Sequence, residues 1–441
     1  MTWEKLLTPT RLGREKNEDL SVNRTPFQRD YDRIVFSSAF RRLKDKTQVF
    51  SLAKSDYIRT RLIHSHEVSC VGRSLGRMVG EKVVEKDNKL KFTSADFGDI
   101  VSSACLAHDI GNPPFGHAGE EAISTAFKSW YQNRDESCLS RSQREELEKY
   151  EGNALGFRIL TKLEMSHRKG GMQLTCPTLA AFAKYPKTCH VDKEILGGYQ
   201  GRSIKKYSFF QSEATLFEEV ADTVGLIRKS PETHWYSRHP LAFLVEAADD
   251  ICYSVIDVED GYRMGYFSFE EAKKLLEPIA EKTNAEANQS KAEYIKYLRA
   301  QSINNLTNEA VEIFCENEEG ILSGDFDDEL LSKSQKYSLT LKEISTQTRT
   351  KVFENSDVVA VQIAGYEVLG KLFSEFADAM LGNSKKNKLV YQMIPREYQS
   401  NDNDDAYEKI LKVADYIAGM TDSYATSLFQ RLSGISIQSQ L

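Results

Sequence analysis

Four of the eight histidines of this 441-residue chain, His64, His66, His108 and His117, fall between positions 64 and 117. His108 is followed directly by Asp109 in the apolar run LAHDI. A buried carboxylate there costs on the order of several kcal/mol unless a cation or hydrogen-bond donors meet it. A metal ion is the simplest partner. His64 offers a second imidazole, and the pair Asp249-Asp250 in VEAADDICYSV offers a second carboxylate from one residue or the other. Two imidazoles and two carboxylates leave coordination positions open on an ion such as Mn, Mg, Fe or Ni, which can then orient phosphate oxygen and water. His66-Glu67 begins like a zincin motif, but Cys70 stands where the second histidine is required, so that chemistry is excluded.

Helices must position these groups. In residues 60–86, Val68, Val71, Leu75, Met78/Val79 and Val83 recur at three/four spacing, which predicts a helix with one buried stripe. The run 96–110 reads as a buried helix stopped by Gly111-Asn112-Pro113-Pro114, which places His108 and Asp109 at its C-terminus. Residues 240–257 begin with proline, contain no glycine and keep helical spacing, giving a third buried helix. On it Asp249, Tyr253 and Asp257 stand at i, i+4 and i+8, one row on one face. Residues 407–432 predict a long amphipathic helix or a helix pair, and 280–345 predict solvated helices and loops. Residues 187–213 mix a Gly pair, basic residues and aromatics, as in a long loop or small hairpin over a site; their Arg202, Lys205 and Lys206 are spare cations.

Composition narrows the class. The chain carries 58 Lys+Arg against 65 Asp+Glu, a net charge of −7, and 40% hydrophobic residues, so a polyanion must be met by a local basic cluster. Only 10 prolines favour long helices. Seven cysteines form no C-x-x-C pair and read as reduced thiols. With no apolar run of membrane length and no secretory-type N-terminus, the expected place is the cytoplasm.

An ordered series of segments then carries a resemblance: RDYDRIVFSSAFRRLKDKTQVF (29–50), RTRLIHSHEV (59–68), LAHDIGNPPFGHAGE (106–120), YEGNALGFRILT (150–161), TLAAFAKYP (178–186), FFQSE (209–213), PLAFLVEAADDICYSVIDVEDG (240–261) and ADYIAGMTDSYA (414–425). Together they resemble the HD-superfamily deoxyguanosinetriphosphate triphosphohydrolases. The resemblance implies an all-α fold, an HD-type helical core with additional C-terminal helices. The expected layout is an N-terminal segment 1–28, a catalytic core 29–261 and a helical region 262–441 packed on it. It also implies hydrolysis of a dNTP, dGTP foremost, at the α-phosphorus, releasing deoxynucleoside and tripolyphosphate.

Carried onto this sequence, the resemblance implies a divalent metal, Mn or Mg first and Fe, Ni or Zn as alternatives, held by His64, His108, Asp109 and Asp249, with Asp250 the alternative last ligand. Asn112 stands where many HD proteins carry a further histidine, which favours a single metal. The 5′ oxygen of a nucleoside leaves poorly as an alkoxide, so an acid is needed. His117 is the candidate, with Glu120 one turn on to hold its imidazole. Tyr253 is expected to pack on the deoxyribose and Asp257 to accept from its 3′-hydroxyl. Arg61, a better choice than Arg59, suits the triphosphate, Gln48 and Val49 the base, and Glu151 and Asn153 the surroundings of the acid. The resemblance implies a homo-oligomer, such as a hexamer, with a second dNTP or nucleic acid as effector. Other readings are a different HD phosphohydrolase, such as a deoxynucleotide 5′-monophosphatase or cyclic nucleotide phosphodiesterase, and a non-catalytic nucleotide- or nucleic-acid-binding regulator.

Overall fold

The computed structural model describes residues 1–14, 23–48, 59–132, 138–281 and 289–436. Among these the regular structure is helical, and the only β pairing is four isolated bridges, including Thr47 with Thr60 and Lys187 with Trp235. The all-α expectation holds.

Three helices form the floor: α1 (Arg61–Lys86), α2 (Ser94–Ala107) and, later in the chain, a long helix that starts at Pro240. The α1–α2 contact is unusually close. Val68, Leu75, Val79 and Val83 are buried as the spacing predicts, but Ser65, Ser69, Gly72, Gly76 and Gly80 are buried beside them. A Cβ at Gly76 would lie 2.7 Å from the carbonyl oxygen of Phe97, so only glycine permits this approach. A capping box of Thr93 and Asp96 starts α2. It stops at His108, ahead of Pro113-Pro114, and α3 (His117–Tyr131) follows after a turn.

That turn is strained. Phe115 has φ of 63°, and Gly116, with φ 62° and ψ −132°, occupies a region open essentially to glycine alone. A Cβ at Gly116 would meet the Arg61 guanidinium at 2.5 Å. Then come α4 (Gly152–Arg158), α5 (Cys176–Phe182) and α6 (Pro240–Arg263). Pro240 sits in the first turn of α6, and His239 caps it, accepting from the Leu241 amide at 3.1 Å while its other ring nitrogen lies 3.1 Å from the Leu6 carbonyl.

The C-terminal half adds α7 (Phe269–Ala280), α8 (Lys291–Glu316), α9 (Ser338–Thr348), α10 (Ser356–Leu381), α11 (Ala406–Ala418) and α12 (Asp422–Leu432). The 407–432 pattern is thus a helix pair. α8 is less solvated than its composition suggests, burying Tyr294, Leu298, Leu306, Val311 and Phe314. α10 lies against α3, where Phe127 and Trp130 pack on Phe373 and the Trp130 indole donates to Asp378 at 2.7 Å. The first fourteen residues belong to the core as well: Leu6, Leu7 and Leu12 are fully buried, and Arg11 pairs with Asp30. Residues 187–213 form no hairpin but a run of short turns, whose Arg202 pairs with Glu246 and whose Lys206 reaches Glu151.

Candidate active site

Of the four expected ligands, His64, His108 and Asp249 meet where α1, the end of α2 and the middle of α6 converge, and Asp109 stands beside that set with its oxygens on Arg61 and Asn112. His64 Nε2 lies 3.1 Å from Asp249 Oδ1, and His108 Nε2 lies 3.5 Å from that oxygen and 3.5 Å from Asp109 Oδ1. The two imidazole rings stand edge to face, with centroids 5.2 Å apart. His108 Nδ1 sits 2.6 Å from the Cys105 carbonyl, an acceptor that holds the ring's proton on that side and leaves Nε2 a free lone pair. Donor atoms of His64, His108 and Asp249 lie within 4.8 Å of one another. This mixed nitrogen and oxygen set fits a divalent cation.

Charge is balanced around the set. Burial opposes ionisation of Asp249, yet Lys184, donating to its Oδ2 at 3.0 Å, and the imidazoles of His108 and His64 hold its carboxyl well below the usual range. Burial likewise opposes Asp109, but Arg61, bonded to its Oδ2 at 2.8 Å, and the same imidazoles bring it down to about 2. Its other oxygen accepts from the Asn112 amide, so Asn112 secures a carboxylate where a histidine would have offered a ligand. Between the adjacent acids, it is Asp249 that faces the imidazoles. Asp250 lines the cleft beside them, pushed up to about 7 by burial and by Glu246.

Above the floor opens a cleft of about 370 Å³ lined by Gln48, Arg61, Asp109, His117, Asp249 and Tyr253. His117, first residue of α3, is exposed to the cleft; the protein mass around that cleft, with Lys206 and Arg61, lowers its pKa below the ordinary value. The hold of Glu120 on His117 is not made. Glu120 instead accepts from the Gly152 amide at 2.9 Å and lies 3.7 Å from Lys206, because the start of α4 and a lysine are stronger partners for a buried carboxylate than a ring facing the cleft. Glu151 shares that lysine at 3.2 Å and binds the Asn153 amide at 2.6 Å, so Glu120, Glu151 and Asn153 form one cluster beside the acid candidate.

The row on α6 is as spaced. Tyr253 borders the main cleft, and a small adjoining cavity lies between Tyr253, Asp257, Gln48 and His64. Asp257 is buried, pushed up to about 8 by that burial, and its Oδ2 has no hydrogen-bond partner; neither do Gln48 Oε1 and Arg61 Nε. Arg61 and Gln48 line the cleft, and Gln48 and Asp257 line the cavity beside it, so the unmatched atoms fall on two adjoining spaces. Val49 lies outside the described residues. Arg59 is committed elsewhere, to Glu67, Glu259 and Asp260.

Sequence reasoning passed over Lys184, although it lies in the quoted TLAAFAKYP, and every cleft residue from the C-terminal half. Phe353, in a π-helical turn after α9, stacks on Tyr253 with centroids 5.7 Å apart and planes 11° from parallel, and Val358, Val361 and Gln362 of α10 complete the wall. The π turn that places Phe353 leaves no mark in the sequence.

Residues 61–184 match the HD domain, and 331–431 match the phosphohydrolase-associated domain. Over 99% of its length the chain is 53% identical to the whole of a deoxyguanosinetriphosphate triphosphohydrolase-like protein of Synechocystis sp.. A protein of the same description from Pseudomonas aeruginosa is 37% identical over 99% of both chains. A deoxyguanosinetriphosphate triphosphohydrolase of Klebsiella pneumoniae is 30% identical over 93% of this chain and 94% of its own. With full-length kinship added to a clustered His-His-Asp donor set, the chain belongs to the deoxyguanosinetriphosphate triphosphohydrolase-like family of HD phosphohydrolases.

Proposed function

We propose that this protein hydrolyses a deoxynucleoside triphosphate, dGTP foremost, at the α-phosphorus to give deoxynucleoside and tripolyphosphate. The convergence of His64, His108 and Asp249 at the floor of a cleft that also holds an arginine, an imidazole and a tyrosine carries the reading. His64, His108, Asp109 and Asp249 would hold a divalent cation, Mn or Mg first, whose charge would acidify water and neutralise phosphate oxygen.

The chain's own groups do the rest. Arg61 reaches the triphosphate from the rim of the Asp109 carboxylate. Tyr253, backed by Phe353, gives the deoxyribose a flat face, and the unmatched Asp257 oxygen takes the 3′-hydroxyl. The unmatched Gln48 oxygen takes an amino or imino group of the base. His117 passes a proton to the departing 5′ oxygen. Burial first, then Lys206 and Arg61, lower the pKa of its ring in the free protein, and the negative charge of a bound polyphosphate favours the protonated form that an acid requires. Glu120, Glu151 and Asn153 fix the wall behind it through Lys206. A homo-oligomer, and a response to a second dNTP or to nucleic acid, complete the proposal.

The test is product analysis. The purified protein is incubated with Mn and each dNTP, and with GTP, and the products are separated by ion-pair chromatography. Deoxyguanosine with tripolyphosphate is the expected pair. Release of dGDP or dGMP, or hydrolysis only of a monophosphate or cyclic nucleotide, would replace this reading with another HD phosphohydrolase.

A further inference from the structure

The two sides of the cleft are fastened to one another by a residue of the C-terminal helices. Asp422, the first residue of α12, is 1% exposed and does not line the cleft. Its Oδ2 accepts from the Thr47 amide at 3.2 Å and from the Thr47 hydroxyl at 2.8 Å. Its Oδ1 accepts from the Phe115 amide at 3.1 Å. Thr47 precedes Gln48, and Phe115 stands two residues before His117. One carboxylate therefore anchors the backbone on the base side and on the acid side together.

The surrounding contacts make this a junction. Lys46 is buried and donates to the Asn112 carbonyl at 2.6 Å and to the Ala418 carbonyl at 2.7 Å, bridging the same two segments to the end of α11. The Thr47–Thr60 bridge and the bond from the Arg61 amide to the Lys46 carbonyl tie the base side to the start of α1. Phe115 adopts a left-handed backbone that non-glycine residues avoid, and such a conformation persists only where its surroundings over-determine it. Here they are the Asp422 bond and the packing of the Phe115 ring on Gly365 of α10.

We infer that Asp422 is a positioning residue, through which the turn between α11 and α12 sets the placement of Gln48 against that of His117. The inference rests on the dNTP reading for the roles of those two side chains; the clamp itself rests on the hydrogen bonds alone. A carboxylate is required because both oxygens must accept. An asparagine offers one acceptor and turns an N–H₂ group toward a backbone donor.

Asp422→Asn tests it in two ways. Hydrogen exchange on the nucleotide-free protein should quicken in peptides covering 44–48 and 113–117, with α1 and α2 unchanged. In turnover assays the variant should keep wild-type Mn stoichiometry, lose roughly 10- to 100-fold in kcat, and show a smaller ratio of kcat/KM for dGTP over the other dNTPs. Thr47→Val, which removes the hydroxyl bond of a residue that also lines the cleft, should quicken exchange in the 44–48 peptide alone, and that exchange decides the matter if the first variant does not fold. Unchanged exchange in both peptides overturns the clamp. Equal losses for every dNTP at an unchanged ratio overturn its role in placement and leave a structural carboxylate. A wild-type protein inert toward all dNTPs would instead overturn the functional reading, and the exchange data would still decide the clamp.

Discussion

Asp109 does two jobs that a variant can separate. It is a proposed metal ligand, and it is the carboxylate partner of the buried Arg61 guanidinium at 2.8 Å. Asp109→Ala should abolish metal uptake and turnover. Because it leaves a buried cation unpaired, it should also lower stability by about 3 kcal/mol in urea unfolding. Adding Arg61→Met should recover most of that stability without recovering metal, and metal analysis beside the unfolding curves separates the effects. His117→Ala should behave oppositely, keeping metal and fold while turnover falls about 100-fold. Wild-type kcat would move the acid to another group. The clustering of His64, His108 and Asp249 was legible in the sequence because charged and imidazole groups in apolar runs require partners. The turning of Glu120 away from His117 was not, because i, i+3 spacing brings two side chains within reach without revealing competitors such as the Gly152 amide and Lys206.

Among the elements, the approach of α1 to α2 sets the distance between the imidazoles. Gly76→Ala inserts a methyl group 2.7 Å from a backbone oxygen that cannot rotate away. The helices must part, at a cost of about 1–3 kcal/mol, and metal affinity should fall although the change lies three turns from His64. Calorimetric titration with Mn checks this; wild-type affinity would mean that α1 absorbs the methyl group locally. The cap of α6 has its own pH signature. Burial holds His239 neutral, down to about 4 against an ordinary 6.5. The unfolded chain therefore takes up a proton near pH 6.5 that the folded chain refuses until about pH 4. Stability should fall by about 1.4 kcal/mol per pH unit across that window and flatten below it. In His239→Asn, which still caps, denaturation midpoints should lose this contribution to the acid slope. The helices bearing Val68 or Asp249 could be read from periodicity and from proline stops. The close glycine face could not, since glycine carries no hydrophobic signal.

For the whole molecule, the C-terminal helices help to wall the cleft. Arg158 of α4 is buried between Asp415 of α11, at 2.9 Å, and Glu213, at 2.5 Å, so the core and the C-terminal region share a charged joint. Asp415→Ala should cost about 3 kcal/mol, and a single cooperative unfolding transition should persist because the two regions share one core. A second transition in differential scanning calorimetry would count against that unity. Residues 262–400 gave the sequence little functional signal for a physical reason: their contribution to the cleft is a wall of Phe353, Val358 and Val361 with Gln362, mostly apolar side chains that look like any core. No helix of the described residues is long and apolar enough to cross a membrane. Gln48, Arg61 and Asp257, each with a buried atom left without a partner, also bear on how the protein changes over generations. Selection for thermal robustness alone would replace such residues with apolar ones and close the cleft, so their presence marks a compromise in which folded stability is held below its attainable maximum. The same compromise makes melting temperature a sensor: a nucleotide that satisfies those atoms should raise it, and ranking nucleotides by that rise would order candidate substrates without any turnover assay.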